Sequence, residues 1–283
     1  MDGDKIAKSL LLLISAVIIL IATAMLYSLV TGSIPVFREF GAGFIFSSEW
    51  DPARDREQFG ALPFIAGTLM TSFLALIICL PLSFSASILL GEYLRGTKTA
   101  SVISLLIDML AGIPSIIYGL WGFYTLRPFI VQVGLSEQGY GIFTASVILS
   151  IMIIPYATSM SKEIIAMIPE HLKEAGYALG ATQSEVVFNI ILPNARSGIF
   201  ASYILAFGRA LGETMAVTML IGNANVLPRS LFEPGNTMAS VIASQFGEAS
   251  GLLLSALIAI GLLLFVITAI VNYLGKMIIK RFD

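Results

Sequence analysis

Arg209 and Glu213 carry charge inside the apolar run 199–221, IFASYILAFGRALGETMAVTMLI. Arg209 lies ten residues from its start and Glu213 eight from its end. A run of about 20 mostly apolar residues suffices to cross a bilayer, so both charges fall near mid-membrane. A lone charge there costs about 3 kcal/mol on insertion scales, and such groups face a bundle interior or a watery path. Arginine offers a planar fork that stays charged at any relevant pH and matches two oxygens of an oxyanion. Glu213, four residues on, shares its helix face and can pair with it. Competition between the carboxylate and a passing anion would keep that anion weakly held, as a permeation site requires. Thr214 and Thr218 supply hydroxyls that either donate to an anion or satisfy backbone carbonyls. Two readings of the pair stand open: a station for an anion, and a structural bridge pinning two helices.

The elements around the pair are membrane helices. Hydrophobic residues make up 57% of the chain and charged ones 12%, about half the charged share of an ordinary soluble domain, which is about 25%. Mean hydropathy is +0.91. Six apolar runs stand out, 10–30, 65–90, 100–126, 141–160, 199–221 and 251–274. They predict an all-α polytopic membrane protein of six transmembrane helices. The third run exceeds the length of a span and contains Asp108, which is placed at the inner headgroups.

Lysine and arginine set the orientation. With the N-terminus inside, the cytoplasmic side carries Lys5, Lys8, Arg95, Lys98, Lys162, Lys173, Arg196, Lys276, Lys280 and Arg281. The outer side carries Arg38, Arg54, Arg56, Arg127 and Arg229. Both termini are therefore expected in the cytoplasm. The first run is longer than the h-region of a signal peptide, about 7–15 residues. Cys79 is the only cysteine and His171 the only histidine; the first excludes an intrachain disulfide, and the second belongs on a solvated helix face. No metal-ligand spacing, no nucleophile with a base and no basic excess for nucleic acid is present, so no catalytic residue, metal or cofactor is expected.

Between the spans, the segment 31–63 with Phe40, Phe44, Phe46 and Trp50 reads as an outer cap whose aromatic residues rest at the membrane interface. The segment 223–250, punctuated by Pro228, Pro234 and Gly235, is a second outer connection. Pro81, Pro114 and Pro155 interrupt three spans and read as kinks lining a cavity. The inner loop 160–199 is the most legible stretch. Pro169 opens a helix, on which Leu172, Ala175, Gly176 and Leu179 form an apolar stripe. Gly180 stops it as a C′ residue. Thr182 to Glu185 form a capping box for the next helix, which Pro193 ends. The stripe serves either as a docking surface or as internal packing. Residues 91–98, GEYLRGTK, approach a phosphate-binding loop, but Thr97 separates the lysine from the second glycine and a membrane helix precedes, so the motif fails.

Glu174-Ala175-Gly176, three residues, Gly180, nine residues and then Ile190-Ile191-Leu192-Pro193 resembles the EAA signature of ATP-binding-cassette importer permeases. Gly176 stands where that family often has alanine. Three further stretches resemble the phosphate-specific branch: 59–65 (FGALPFI), 111–122 (AGIPSIIYGLWG) and 208–218 (GRALGETMAVT). Trp50-Asp51-Pro52 favours the PstC type over the PstA type. Sulfate and molybdate permeases share a similar Arg–Leu-Gly-Glu element. The resemblance implies a type I importer permease fold in a bacterial or archaeal inner membrane. It implies a substrate path at Arg209, Glu213, Thr214 and Thr218, and a coupling element at Glu174, Ala175, Gly176, Gly180, Ile190, Leu192 and Pro193 that sits in a groove of the ATPase. The partners it implies are a second, PstA-type permease subunit, two cytosolic ATP-binding subunits, a periplasmic phosphate-binding protein and membrane lipid. Residues 1–63 would form a first helix and outer loop, 64–276 the translocating domain with its coupling loop at 161–196, and 277–283 a cytoplasmic tail. Permeases of other oxyanions, an ion-coupled secondary transporter using Arg209–Glu213 as a proton relay, and a passive anion channel are the alternatives.

Overall fold

A computed structural model describes residues 2–53 and 57–281, with side chains from residue 7 onward. The side chain of Lys5, together with Arg54, Asp55 and Arg56, lies outside the described residues. Helix α1 (Asp2–Phe40) leads to a short turn, α2 (Gly43–Phe46), and a two-stranded hairpin, β1 (Trp50–Asp51) with β2 (Gln58–Phe59), paired Trp50 to Phe59. Then come α3 (Leu62–Ile88), α4 (Lys98–Ala111), α5 (Ser115–Trp121), α6 (Arg127–Gln132) and α7 (Ile142–Ala166). The inner loop holds α8 (Glu170–Ala178) and α9 (Gln183–Val186). The chain closes with α10 (Leu192–Leu211), α11 (Met215–Leu220), α12 (Met238–Gln245) and α13 (Gly251–Ile279). Five of the described helical stretches are long and apolar enough to cross a membrane, and the bent pair α4 with α5–α6 makes six if taken as one span.

Helices α3 and α7 form the largest interface of the bundle. On α3 the buried positions include Thr68, Ser72, Ala75, Cys79, Ser83 and Ser87, small residues three or four apart along one face. On α7 they meet Ser146, Ser150, Ala157 and Ser161, with Ile148, Leu149 and Ile153 filling between. Small side chains let the two backbones approach, the usual basis of helix association where lipid removes the hydrophobic drive. The Ser146 hydroxyl even donates across the interface to the Thr71 carbonyl at 3.1 Å.

The outer segment differs from expectation. Helix α1 runs on to Phe40, and the aromatic residues pack on one another instead of resting at a membrane interface. Phe37 meets Phe44 edge-on at 5.4 Å, and Trp50 meets both Phe59 and Phe64, at 5.0 and 4.8 Å. Phe44, Phe59 and Phe64 are buried, whereas Phe46 stays exposed. Edge-to-face rings gain from their quadrupoles beyond area alone, which favours a closed cluster. The second outer connection also contains a helix, α12, capped by the Thr237 hydroxyl.

The prolines behave in three ways. Pro81 and Pro155 lie within unbroken helices. Gly112-Ile113-Pro114 instead turns the chain by 93° between α4 and α5. Pro193, expected to end a helix, sits inside one continuous stretch, Gln183–Leu211. A wide π turn at Val187–Ile191 comes just before it, and the Leu192 N–H reaches the Val187 carbonyl five residues back. The same pattern recurs at Gly122–Leu126, where Arg127 donates to Gly122 just ahead of Pro128. A proline ring crowds the preceding turn and lacks a donor; a π turn widens that turn, which is how these helices continue.

A third device concerns Pro35 in α1. Ser255 of α13 inserts its hydroxyl where the ladder is weakened. The Val36 N–H donates to Ser255 Oγ at 3.1 Å, and that hydroxyl donates to the Gly32 carbonyl at 2.8 Å. This ties the C-terminal half of α1 to α13, while residues 8–27 of α1 remain exposed.

Candidate functional site

Arg209 and Glu213 do not share a helix. Helix α10 stops at Leu211, Gly212 to Thr214 are non-helical, and α11 begins at Met215. The expected i,i+4 pair therefore does not form, because that spacing aligns side chains only in an unbroken helix. Glu213 turns instead to the start of α11, where its Oε1 accepts the Ala216 N–H at 3.4 Å. Arg209, in the last turn of α10, lies with its guanidinium 4.2 Å above the ring of Tyr156 on α7. Its positive charge also suits the carbonyl end of α10. The Arg209 side chain is exposed and Glu213 half-buried.

Thr214 and Thr218 take the backbone role. Thr218 donates to the Thr214 carbonyl at 2.7 Å and Thr214 to the Gly212 carbonyl at 3.2 Å. The two hydroxyls thus donate to carbonyls at the helix break. In chemical terms the site is a single stacked guanidinium at the end of a helix, with no carboxylate among the described residues gripping it.

The surroundings of Tyr156 connect the site to the bend at 112–114. Tyr156 donates to the Ala111 carbonyl at 3.1 Å and Tyr118 to the Leu110 carbonyl at 2.9 Å. Both acceptors are terminal carbonyls of α4, the groups a helix end leaves orphaned. Asp108, three residues earlier than Ala111 on α4, accepts the Ser159 hydroxyl at 2.6 Å. Tyr156 and Ser159 are themselves three apart on α7, so one face of that helix holds Arg209 by its ring and α4 by its hydroxyls.

The inner loop is built largely as its residues dictate. Gly180 has φ +84°, the left-handed conformation that glycine adopts at no steric cost. Gly180 donates to the Tyr177 carbonyl at 2.9 Å and Ala181 to the Gly176 carbonyl at 3.1 Å, the two bonds of a Schellman cap. The Thr182 hydroxyl accepts the Glu185 N–H at 3.3 Å, and Glu185 Oε2 accepts the Thr182 N–H at 2.8 Å. The Thr182 N–H first, and then the Thr182 hydroxyl, which also donates to Glu185 Oε2 at 2.8 Å, hold the Glu185 carboxyl below its ordinary value. A β-carbon on Gly176 would come within 2.6 Å of Ile190 Cδ1, so α8 lies directly on the wide turn before α10. Ile190 and Leu192 are half-buried, while Glu174, Ala175 and Pro193 are exposed.

The stripe on α8 is rotated from its expected position. Gly176 and Lys173 are buried and Leu172 half-buried, whereas Ala175 is exposed and Leu179 is 90% exposed. Lys173 is the reason. Its Nζ reaches Glu92 Oε2 at 2.6 Å, with the two side chains 2% and 9% exposed. Sequence reasoning counted Lys173 only as a cytoplasmic charge. The signal that was available is its i,i+3 spacing to Gly176, which puts both on one face. Tyr156, Asp108 and Glu92 carried no sequence signal of their partners, which lie 53, 51 and 81 positions away. His171 is exposed, as expected, and Cys79 is a buried free thiol.

Comparison with known proteins is consistent with this architecture. The family of binding-protein-dependent transport system inner membrane components matches residues 80–283. A phosphate transport system permease protein PstC of Haemophilus influenzae is 42% identical, over 98% of this chain and 93% of its own length. Its counterpart from Pasteurella multocida is 42% identical over 94% and 88%, and a probable one from Methanocaldococcus jannaschii is 36% identical over 88% and 85%. Among solved structures, a bacterial alginate ABC transporter gives a TM-score of 0.65 at 16% identity, covering 95% of this chain and 94% of the other. The inward-facing MetNI methionine ABC transporter gives 0.59 at 21% identity, covering 79% and 94%. The shared fold is that of type I ABC importer permeases.

Proposed function

This chain belongs to the binding-protein-dependent transport system inner membrane component family, and from that premise we propose that it is one permease subunit of an ATP-driven importer of inorganic phosphate. Relatives at 42% identity over nearly the whole chain carry phosphate transport in their names, and the site supports the same substrate. The observation that carries the reading is Arg209: an exposed guanidinium at a broken helix, stacked on Tyr156 and contested by no carboxylate among the described residues. Stacking orients the planar fork and leaves its N–H donors for tetrahedral oxygens. One such cation binds an anion without trapping it. Glu213, Thr214 and Thr218 complete the path by shaping the break at Gly212 that brings backbone and hydroxyls to the same depth.

The remaining parts follow from the same reading. ATP is hydrolysed by two separate cytosolic subunits, which dock on the coupling loop 161–196 at Glu174, Ala175 and Gly180. Leu179 stands in the open there, so the apolar side chains of the loop are not all consumed by internal packing. A second, PstA-type permease subunit closes the path, and a periplasmic phosphate-binding protein delivers to the outer segments 31–63 and 223–250. Both termini face the cytoplasm. Residues 64–276 form the translocating domain, between a first helix with its outer loop and a short tail.

Uptake of labelled phosphate by membranes carrying the assembled complex tests the reading. Uptake should require ATP and withstand a large excess of sulfate or molybdate. Equal competition by sulfate would reassign the substrate, and uptake without ATP would remove the importer assignment.

A further inference from the structure

Three elements converge on the inner side of the bundle. Helix α3 ends in a π turn at Leu89–Tyr93 that carries Glu92. That turn lies against the end of α7, where a β-carbon on Gly91 would come within 3.0 Å of both the Lys162 carbonyl and Ile165. Helix α8 covers it from the loop side. Between them Lys173 meets Glu92 at 2.6 Å, and its second carboxylate, Glu170 Oε2, lies 3.7 Å away on its own helix. Arg95, just beyond the turn, holds that same Glu170 oxygen at 2.9 Å. The Tyr93 hydroxyl reaches Ser184 Oγ, on α9, at 3.4 Å.

We propose that Lys173 and Glu92 form a strut that carries motion between the coupling loop and the inner end of α3, with Glu170 as the alternative partner when the strut opens. The inference rests on the permease reading above.

Its first support is placement. The pair is nearly closed to solvent and joins an element of the loop to the end of a membrane span. A buried pair is weak evidence for stability, since well-packed apolar residues of the same volume serve as well or better. A directional charge contact does what apolar packing does not: it defines one register of two parts that slide past each other. The second support is the arrangement itself, one ammonium between two carboxylates. Lys173 has one carboxylate on the span and one on its own helix at i−3, so separation of α8 from α3 leaves the ammonium paired. The ammonium is therefore never left as an unpaired charge, and the cost of opening falls on Glu92. The third is Arg95, which keeps Glu170 fixed from the α3 side while Lys173 is engaged with Glu92. Lys173 touches no substrate in this scheme and is a positioning residue.

The test is the coupling ratio, phosphate taken up per ATP hydrolysed, measured on the reconstituted full complex and normalised to assembled protein. Lys173→Met and Glu92→Gln should each keep ATPase subunits bound and hydrolysis running while uptake per ATP falls at least several-fold. The exchange Glu92→Lys with Lys173→Glu should recover a substantial part of the ratio, because the contact is restored with reversed polarity. An unchanged ratio in both single variants overturns the strut. So does loss of uptake and hydrolysis in equal proportion, which would mark plain destabilisation. Failure of every variant to assemble, the exchange included, would assign the pair to folding and also overturn it. Absence of ATP-dependent uptake in the unmutated complex would instead overturn the permease reading, and the strut with it.

Discussion

The guanidinium of Arg209 lies 4.2 Å above the ring of Tyr156, on a neighbouring helix, and Glu213 makes no ion pair with it. Two functional consequences separate cleanly. On the proposed reading, the charge of Arg209 meets an anion and the ring of Tyr156 aims it.

Arg209→Gln should reduce phosphate uptake to background while ATPase subunits still copurify, because the coupling loop is untouched. Arg209→Lys keeps the charge but loses the planar stack and bidentate fork, so uptake should fall to an intermediate level. Tyr156→Phe retains the stack and removes only the bond to the Ala111 carbonyl, so it should exceed Arg209→Lys in transport. Uptake of labelled phosphate at matched protein levels gives the order, and a Lys variant equal to wild type would show that the fork is unnecessary.

Glu213→Gln is expected to be mild. Its carboxylate accepts from Ala216 at the head of α11, and a glutamine oxygen can accept the same N–H. If Glu213 instead restrained Arg209, that variant would bind phosphate longer and turn over more slowly, which single-turnover release would detect. Adding Arg209→Gln to Glu213→Gln should not rescue transport, since there is no bridge whose surviving half is left stranded.

Gly180→Val should disable the loop. A side chain at left-handed φ costs about 1–2 kcal/mol, and Gly180 has φ +84° with both cap bonds depending on it. Copurified ATPase should drop while the chain still inserts into the membrane. Gly180→Asn, which tolerates this region better, should retain more than half of the association.

The capping box at Thr182 and Glu185 predicts a pH effect. The Glu185 carboxyl is held below its reference of 4.5 by hydrogen bonds from Thr182. A depressed folded value means its contribution is present above the unfolded value and is lost as pH falls through the folded one. Hydrogen exchange at the Thr182 and Glu185 amides should therefore quicken on acidification below about pH 4.5 beyond the intrinsic trend. In Glu185→Gln that extra acceleration should disappear.

Ser255→Ala should loosen α1. The hydroxyl spans the Val36 N–H and the Gly32 carbonyl, and losing it should cost about 1 kcal/mol, the net value of such bonds. Limited proteolysis in the outer segment 41–60 should speed up, with no change in ATPase association.

How much of this was legible follows from distance along the chain. Gly180, Thr182 and Glu185 were read correctly because a cap and a turn are settled within five residues. The six apolar runs were legible because burial in lipid needs only composition. The Arg209–Glu213 pair misled because i,i+4 reasoning assumes an unbroken helix, and Gly212 was not given weight as a stop. Pro193 misled because a proline was taken to end a helix, whereas the wide turn at Val187–Ile191 absorbs it. Phe44 and Trp50 were assigned to a membrane interface since nothing local shows that Phe59 and Phe64 return to meet them. Lys173 and Glu92 stand 81 positions apart, and only the folded chain brings them together.

The wide turn before Pro193 also sets an angle. A π turn contains one residue more than the α-helical ladder needs, and each residue rotates a helix by about 100°. Glu185 and Val186 therefore point in a direction, relative to Arg209 at the far end of the same rod, that a plain helix would not give. Deleting one residue from Val187–Ile191 together with replacement of Pro193 by alanine would straighten the rod and swing the loop around its axis by roughly a quarter turn. The loop would keep its caps at Gly180 and Thr182 and still present the wrong face. The turn is thus an azimuthal gear between the cytoplasmic face and the membrane interior, and its tooth is a single residue.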